Sequence, residues 1–359
     1  MPFFFPDAVY IEQRVLSLVH TQEILSNLQG TPVHIVSHLS EVVSKKPLPS
    51  DKILILAKQE GKFLKPCPCT KNHICCGYYF INLATNCPIG CTYCILQGYL
   101  NNPYLTVYTN LDDLFTELDE TKRSFRKKFF RIGTGELTDS LILDHLTGHS
   151  RKLISYFANW HDALFELKTK TTQIQHLPEK PPPSNNIVIS WSLNPARIIR
   201  EEEKHAPLLE ERIMAAATCL KAGYGVGFHF DPLIHYPEWE KEYKTTVKIL
   251  FDQIPADKIA WISLGALRYP AKMDKIIRTN HPESSIVLGE LFPGKDGKYR
   301  YFRPIREQMY RTITAYIRSL NRAVPLYLCM ESQSIWSKVL SRHFSSDIFR
   351  RTNSSPSLA

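Results

Sequence analysis

The stretch "CPIGCTYC" at residues 87–94 places the thiols of Cys87, Cys91 and Cys94 on one short segment, and no further cysteine follows before Cys219. Pro88 and Gly90 break any helix between them, so the three thiols belong to a loop and not to the face of a core helix. Thiolates are the usual protein ligands of iron–sulfur clusters, and a loop of this size reaches three corners of a cubane. A structural zinc site draws on two close pairs that supply four ligands, a pattern the loop lacks. Of the 9 cysteines, all but Cys219 and Cys329 crowd between residues 67 and 94, which argues for metal or redox chemistry over disulfides. Just upstream, "PCPCTKNHICC" (66–76) offers Cys67, Cys75 and Cys76, with or without Cys69, as an auxiliary site for zinc or a second cluster.

Further polar residues stand at the ends of apolar runs. "FFRIGTG" (129–135) is followed by Glu136. "ALFELKTK" (163–170) carries Lys168, "IVISWSL" (187–193) carries Ser192, and "VGFHFDP" (226–232) carries His229 and Asp231. Together with "YYFINLA" (78–84), "IAWISLG" (259–265) and "PLYLCM" (325–330), these runs predict buried parallel strands. Helical stretches fit between them, the clearest being "LLEERIMAAATCLKAGY" (208–224), with Gly223 where a helix should stop. Strands alternating with helices predict an α/β fold, a partial (β/α) barrel whose chemistry collects at the C-terminal strand ends. Residues 1–75, with β-type runs at 32–39 and 52–58, read as a small N-terminal α/β segment. Residues 76–335 form the barrel with a C-terminal, substrate-side extension, and 336–359 a last helix and a disordered tail.

The chain of 359 residues is 43% hydrophobic and 22% charged, enough for a full core. No apolar run of about 18 residues predicts a membrane span, and the start is too quickly charged for a secretory signal, so the expected location is the cytoplasm. A net charge of +9 admits a polyanionic partner. The positive charge is dense in "KRSFRKKFFR" (122–131) and "KYRYFRPIREQMYR" (298–311). Solvated helix faces produce such runs, but interleaved Phe and Tyr add the stacking surface that nucleic acids use. Arg268, Tyr299, Arg300 and Arg303 are candidates for phosphate or base contact, with His229 and Asp231 facing the barrel mouth.

"CPIGCTYC" resembles the hallmark of the radical S-adenosylmethionine superfamily. The resemblance implies a [4Fe–4S] cluster on Cys87, Cys91 and Cys94, with S-adenosylmethionine completing the fourth iron and an external ferredoxin- or flavodoxin-type reductant supplying the electron. It implies cofactor contacts from "GTGE" (Gly133, Gly135 and Glu136), from Lys168 and from Ser192. Over roughly residues 60–335 the chain is similar to the spore photoproduct lyase family, through "KPCPCTKNHICCGYYFINLATNCPIGCTYCILQ", "RIGTGELTDS", "FELKTKT", "SWSLNP", "GFHFDP" and "CMES". Those enzymes split a thymine lesion in DNA and return a hydrogen from a cysteine, with tyrosines in the relay.

The chain departs from that pattern where the lesion chemistry is done. "GTGELTD" has no cysteine at the family's donor position, and Ile95 stands where a relay tyrosine follows the third ligand, although Tyr93 matches the aromatic residue inside the loop. Tyr93 is the expected relay residue and Cys329 the alternative hydrogen donor, with a plain core cysteine as the competing reading of Cys329. The expected function is a radical enzyme of the lyase type acting on DNA or another nucleic acid. Two alternatives stand beside it: a radical enzyme for a small molecule or peptide, and a non-catalytic nucleic-acid-binding protein stabilised by metal.

Overall fold

A computed structural model of the chain describes residues 4–28, 30–45, 52–69, 73–125, 129–294 and 296–340. Part of the basic stretch 122–131 and the tail expected to be disordered lie outside the described residues. The apolar runs become one sheet of eight strands: β1 (Leu64–Pro66), β2 (Tyr78–Ile81), β3 (Phe130–Gly133), β4 (Ala163–Thr169), β5 (Ile187–Ser192), β6 (Gly225–Leu233), β7 (Ile259–Ala266) and β8 (Leu326–Leu328). They lie side by side in chain order from one edge to the other. Strands β2 to β8 are parallel, and β1 returns antiparallel on β2.

Parallel strands added always on the same side, each through a crossover, curl a twisted sheet in one direction. The curl brings β3 to β8 across the interior, where Arg131 donates to the Tyr327 hydroxyl at 2.9 Å. The result is an open half-barrel with a core from both faces, including the fully buried Trp191 and Trp261. The crossover helix Leu209–Ala222 starts where the Glu211 carboxylate accepts the Leu208 amide at 2.7 Å. It stops at Gly223, whose φ of 103° is the left-handed cap that glycine adopts without penalty.

Ahead of the barrel, Ala8–Glu12, Val33–Val36 and Ile53–Ala57 form a second, largely parallel sheet. Leu105–Tyr108 and Ala84–Thr85, from beyond residue 75, complete it, so a hydrogen-bonded sheet runs across that expected boundary. Its apolar residues Val9, Ile11, Leu54, Leu56 and Val107 share one buried cluster with Ile89 and Cys91. The N-terminal sheet is therefore the wall behind the cysteine loop. After β7 a small antiparallel sheet, Arg268–Pro270, Leu291–Pro293 and Lys298–Tyr301, rises beside the barrel mouth. Among the described residues no helix is long and apolar enough to cross a membrane.

Candidate active site

The cysteine loop leaves the sheet at Asn86, whose φ of 68° turns the chain. The Asn86 side-chain amide fixes the turn by donating to the carbonyls of Asn102 and Tyr104, both at 2.8 Å. The Cys94 amide closes back on the Cys91 carbonyl at 3.0 Å, and the Thr92 amide is held by the Glu202 carbonyl at 2.9 Å. All nine cysteines are free thiols. Burial raises the pKa of Cys87, Cys91 and Cys94, that of Cys91 to about 12. Thiols so placed stay protonated until a cation replaces the proton, the condition under which metal binding and ligand deprotonation are coupled. Among the described residues no group of three His, Cys, Asp or Glu converges on a single ion. Three thiols on one loop are a donor set whose chemistry fits an iron–sulfur cluster.

Inside the loop, the Tyr93 hydroxyl donates to the Glu203 carboxylate. Lys170 donates to both groups at 2.8 Å, Asn194 reaches the same Glu203 oxygen at 2.9 Å, and Arg212 takes the other oxygen at 2.5 Å. Burial alone would raise the Glu203 pKa, but Arg212 and Lys170 hold it far below the usual carboxylate range. Lys170 was not singled out by the sequence; it shares a strand face with Lys168, two residues before it.

Facing the loop is the turn after β3. Gly135 lies so close to β4 that a Cβ there would stand 2.7 Å from the Lys168 Cβ, so only glycine fits. The Lys168 amide donates to the Ser140 hydroxyl and the Ser140 amide to the Lys168 carbonyl, both at 3.0 Å. Asp139 accepts from the amides of Leu141 (2.9 Å), Ile142 (3.1 Å) and Lys170 (2.6 Å) and from the Thr169 hydroxyl (2.8 Å). In the middle of this well-bonded turn, the Thr138 hydroxyl is buried with no hydrogen-bond partner among the described residues. A buried, unpartnered hydroxyl beside a cationic strand end is the kind of group a polar ligand satisfies.

The other predicted residues divide by depth. His229 sits in the barrel floor, Nδ1 2.6 Å from the Ser263 hydroxyl and Nε2 2.7 Å from Glu166. Burial, with Lys168 adding to it, lowers its pKa to about 4. Glu166 also accepts from Ser190 at 2.6 Å and from Arg131 at 2.9 Å, and the Arg131 guanidinium lies 4.6 Å from the Trp261 ring centroid. Ser192 is buried at the end of β5, its carbonyl accepting from Arg212 at 2.9 Å.

Two residues beyond His229, Asp231 reaches the mouth and takes Arg268 through both oxygens, at 3.0 and 3.3 Å. Against the penalty of burial, Arg268 and Lys168 hold the Asp231 pKa at about 2. Arg268 also donates to the Cys329 sulfur at 3.4 Å and the Met330 sulfur at 3.3 Å. Burial and the Asp231 carboxylate keep Cys329 a neutral thiol. Glu136 lies in the field of the same group; burial raises its pKa while Lys168, Arg268 and Lys298 oppose the rise. Arg300 is buried, paired with Asp296 at 2.5 Å and 2.9 Å from His73. Arg303 pairs with Glu307 at 2.6 Å, and Tyr299 stacks on Tyr269 with centroids 6.2 Å apart. The structure thus joins Glu136, Lys168, Asp231, Arg268 and Cys329 and keeps Arg303 apart, paired with Glu307 one turn along its own helix.

An open parallel half-barrel with three thiols on the loop after its first parallel strand is the architecture of radical S-adenosylmethionine enzymes. The spore photoproduct lyase family model matches residues 4–324, and the chain belongs to that family. It is 26% identical over 302 residues to the spore photoproduct lyase of Bacillus subtilis (strain 168), covering 80% of this chain and 85% of the relative. It is 27% identical over 256 residues to that of Geobacillus sp. (strain Y412MC61), covering 70% and 72%. The solved structure of spore photoproduct lyase complexed with dinucleoside spore photoproduct shares the fold, with a TM-score of 0.79 at 22% identity, over 91% of this chain and all of that one. A mutant of the lyase with bound AdoMet and the same dinucleoside matches with a TM-score of 0.80 over the same shares.

Proposed function

We propose that the chain holds a [4Fe–4S] cluster on Cys87, Cys91 and Cys94, binds S-adenosylmethionine beside it, and acts on a nucleic-acid lesion at the barrel mouth. The observation that carries this reading is the turn Gly135–Ser140, tied through Lys170 to the three-thiol loop and holding the Thr138 hydroxyl buried without a partner among the described residues. Reductive cleavage of S-adenosylmethionine to a 5′-deoxyadenosyl radical is the chemistry that this pair of cofactors supplies when bound. The chain's part is to orient and to exclude water. Thr138 and Lys170 offer a hydroxyl and a cation to the cofactor's amino-acid end, alongside Gly133, Gly135, Glu136, Lys168 and Ser192. The backing sheet keeps solvent from Cys91.

At the mouth, Cys329 is the hydrogen donor in place of the cysteine that "GTGELTD" lacks. A hydrogen-atom donor must carry S–H, and burial with Asp231 keeps this thiol neutral. Arg268 fixes where its sulfur points, and Tyr93 is the relay residue nearest the ligands. Cys67, with Cys76, Cys75 and Cys69 in its electrostatic neighbourhood, is the candidate anchor of an auxiliary metal. A second reading, a radical enzyme for a small molecule or peptide, draws on the ion pairs of Arg300 and Arg303, which occupy guanidinium groups expected to meet phosphate.

The test is anaerobic reconstitution followed by incubation with S-adenosylmethionine and dithionite, with and without irradiated DNA. The expected result is 5′-deoxyadenosine that rises with irradiated DNA. Cys91→Ala is expected to lose both the cluster absorbance and all cleavage; cleavage surviving in that variant would overturn the ligand assignment. Deoxyadenosine formed equally without DNA would favour the second reading.

A further inference from the structure

The short helix Leu96–Tyr99, which leaves the cysteine loop, packs on the helix Lys272–Asn280. The contact is close: a Cβ on Gly98 would stand 2.5 Å from the Met273 sulfur and 3.0 Å from Ile276 Cδ1. Gln97 ties the same two elements together. Its Nε2 donates to the carbonyls of Cys91 and Thr92, both at 3.0 Å, and its Oε1 meets Asn280 Nδ2 at 3.4 Å and His281 Nε2 at 3.2 Å. One side chain therefore spans from the backbone of the ligand loop to the surface helix.

Outside this joint the surface is apolar at its centre and basic around it. Ile95, next to Cys94, is 38% exposed, and Tyr99, one turn on, is 57% exposed. Lys272 and Lys275 are exposed on the neighbouring helix and have no ion pair among the described residues. Lys204 shares Glu283, Arg278 shares Asp274 at 2.8 Å, and the His205 ring approaches Gly90 in the loop itself. An apolar centre with a cationic rim suits brief protein docking. At the barrel mouth Arg268 is already paired with Asp231, so its charge is not part of this rim.

We propose that this face receives the protein that delivers the electron, an acidic one-electron carrier of the flavodoxin or ferredoxin type. The proposal rests on the radical reading above, which requires an external electron. One electron leaves the carrier, which is oxidised, and enters the cluster, which is reduced. No bond forms or breaks, and no proton crosses the interface. The rim lysines attract the carrier's carboxylates, Ile95 and Tyr99 make the apolar contact, and the ligand loop lies directly beneath.

The experiment uses the full chain, reconstituted anaerobically, and the variant Lys272→Glu/Lys275→Glu. Deoxyadenosine formation is driven in parallel by a reduced flavodoxin, by a reduced ferredoxin and by dithionite. Independently of activity, flavodoxin carboxylates are cross-linked to the chain's lysines with a carbodiimide and the sites mapped by mass spectrometry. The expected outcome is cross-linking at Lys272 and Lys275. Carrier-driven turnover at low salt should fall about tenfold or more in the variant, and dithionite-driven turnover should be unchanged. Equal carrier-driven rates in parent and variant, cross-links confined to other lysines, or turnover with dithionite but with neither carrier would each overturn the proposal. Loss of DNA retention with carrier-driven turnover intact would overturn it in favour of a nucleic-acid surface. Absence of deoxyadenosine from the parent even with dithionite would remove the radical reading itself, a failure distinct from the others.

Discussion

Strand β4 and its end carry two polar assemblies on one face, at Glu166 and, four residues on, at Lys170. Around Glu166 the network is closed within the barrel floor: Arg131, Ser190 and His229, from β3, β5 and β6, all bond one carboxylate, and Ser263 takes the far side of the histidine. Around Lys170 it is open to the cysteine loop: the lysine bonds Tyr93 within that loop and Glu203 outside the barrel strands. Both assemblies contain the residue types usually associated with catalysis. What separates them is which parts of the chain they join. The closed network ties barrel strands to one another, and the open one ties the ligand loop to the barrel.

That contrast is broken most severely from the closed side. Glu166→Ala strands Arg131 and His229 without their acceptor and is expected to reduce unfolding free energy by about 3–5 kcal/mol, read by urea denaturation of the anaerobic protein. An effect near zero would mean that the floor network is not structural. On the open side, Lys170→Met is expected to change stability less, because Arg212 and Asn194 still hold Glu203. It should weaken S-adenosylmethionine binding by about tenfold, as for loss of one charge-assisted hydrogen bond. Calorimetric titration of the reconstituted protein measures this.

The remaining effect appears only in acid. His229 is near pKa 4 in the folded chain against about 6.5 unfolded, so between those values the unfolded state binds more protons. Stability should therefore fall as pH drops from about 6.5 towards 4, and His229→Gln should flatten that slope in thermal melts at pH 7 and pH 5.

Much of this was legible in the residues. The ligand loop could be read because its spacing is set by cluster chemistry, and the barrel strands because parallel strands buried on both faces need continuous apolar runs. Alternation also placed His229 and Asp231 on one face. It could not give depth: two residues separate a floor histidine from a mouth carboxylate, and only the curl of the sheet decides which is which. The same limit hid Lys170 behind Lys168. The hairpin strands Arg268–Pro270 and Leu291–Pro293 were missed because three-residue strands ending in proline carry almost no periodic signal. Leu105–Tyr108 was missed because its partners, Ile53–Ala57 and Ala84–Thr85, are set by tertiary pairing.

One main-chain contact gives the half-barrel a property that its strands alone do not have. The sheet ends at β1 on one side and β8 on the other, but the segment between β1 and β2 crosses over, and the Ile74 amide bonds the Glu331 carbonyl at 2.9 Å just past β8. In mechanical terms the barrel is a split ring with a clasp. Isolated hydrogen bonds close it in place of a ladder, Ile74 to Glu331, Arg300 to His73 and Arg131 to Tyr327, and isolated bonds yield more readily than paired strands. The clasp belongs to the cysteine-rich arm, so that arm is held to the strand end beside Cys329 and packs on the barrel core, apart from the cluster that backs the ligand loop.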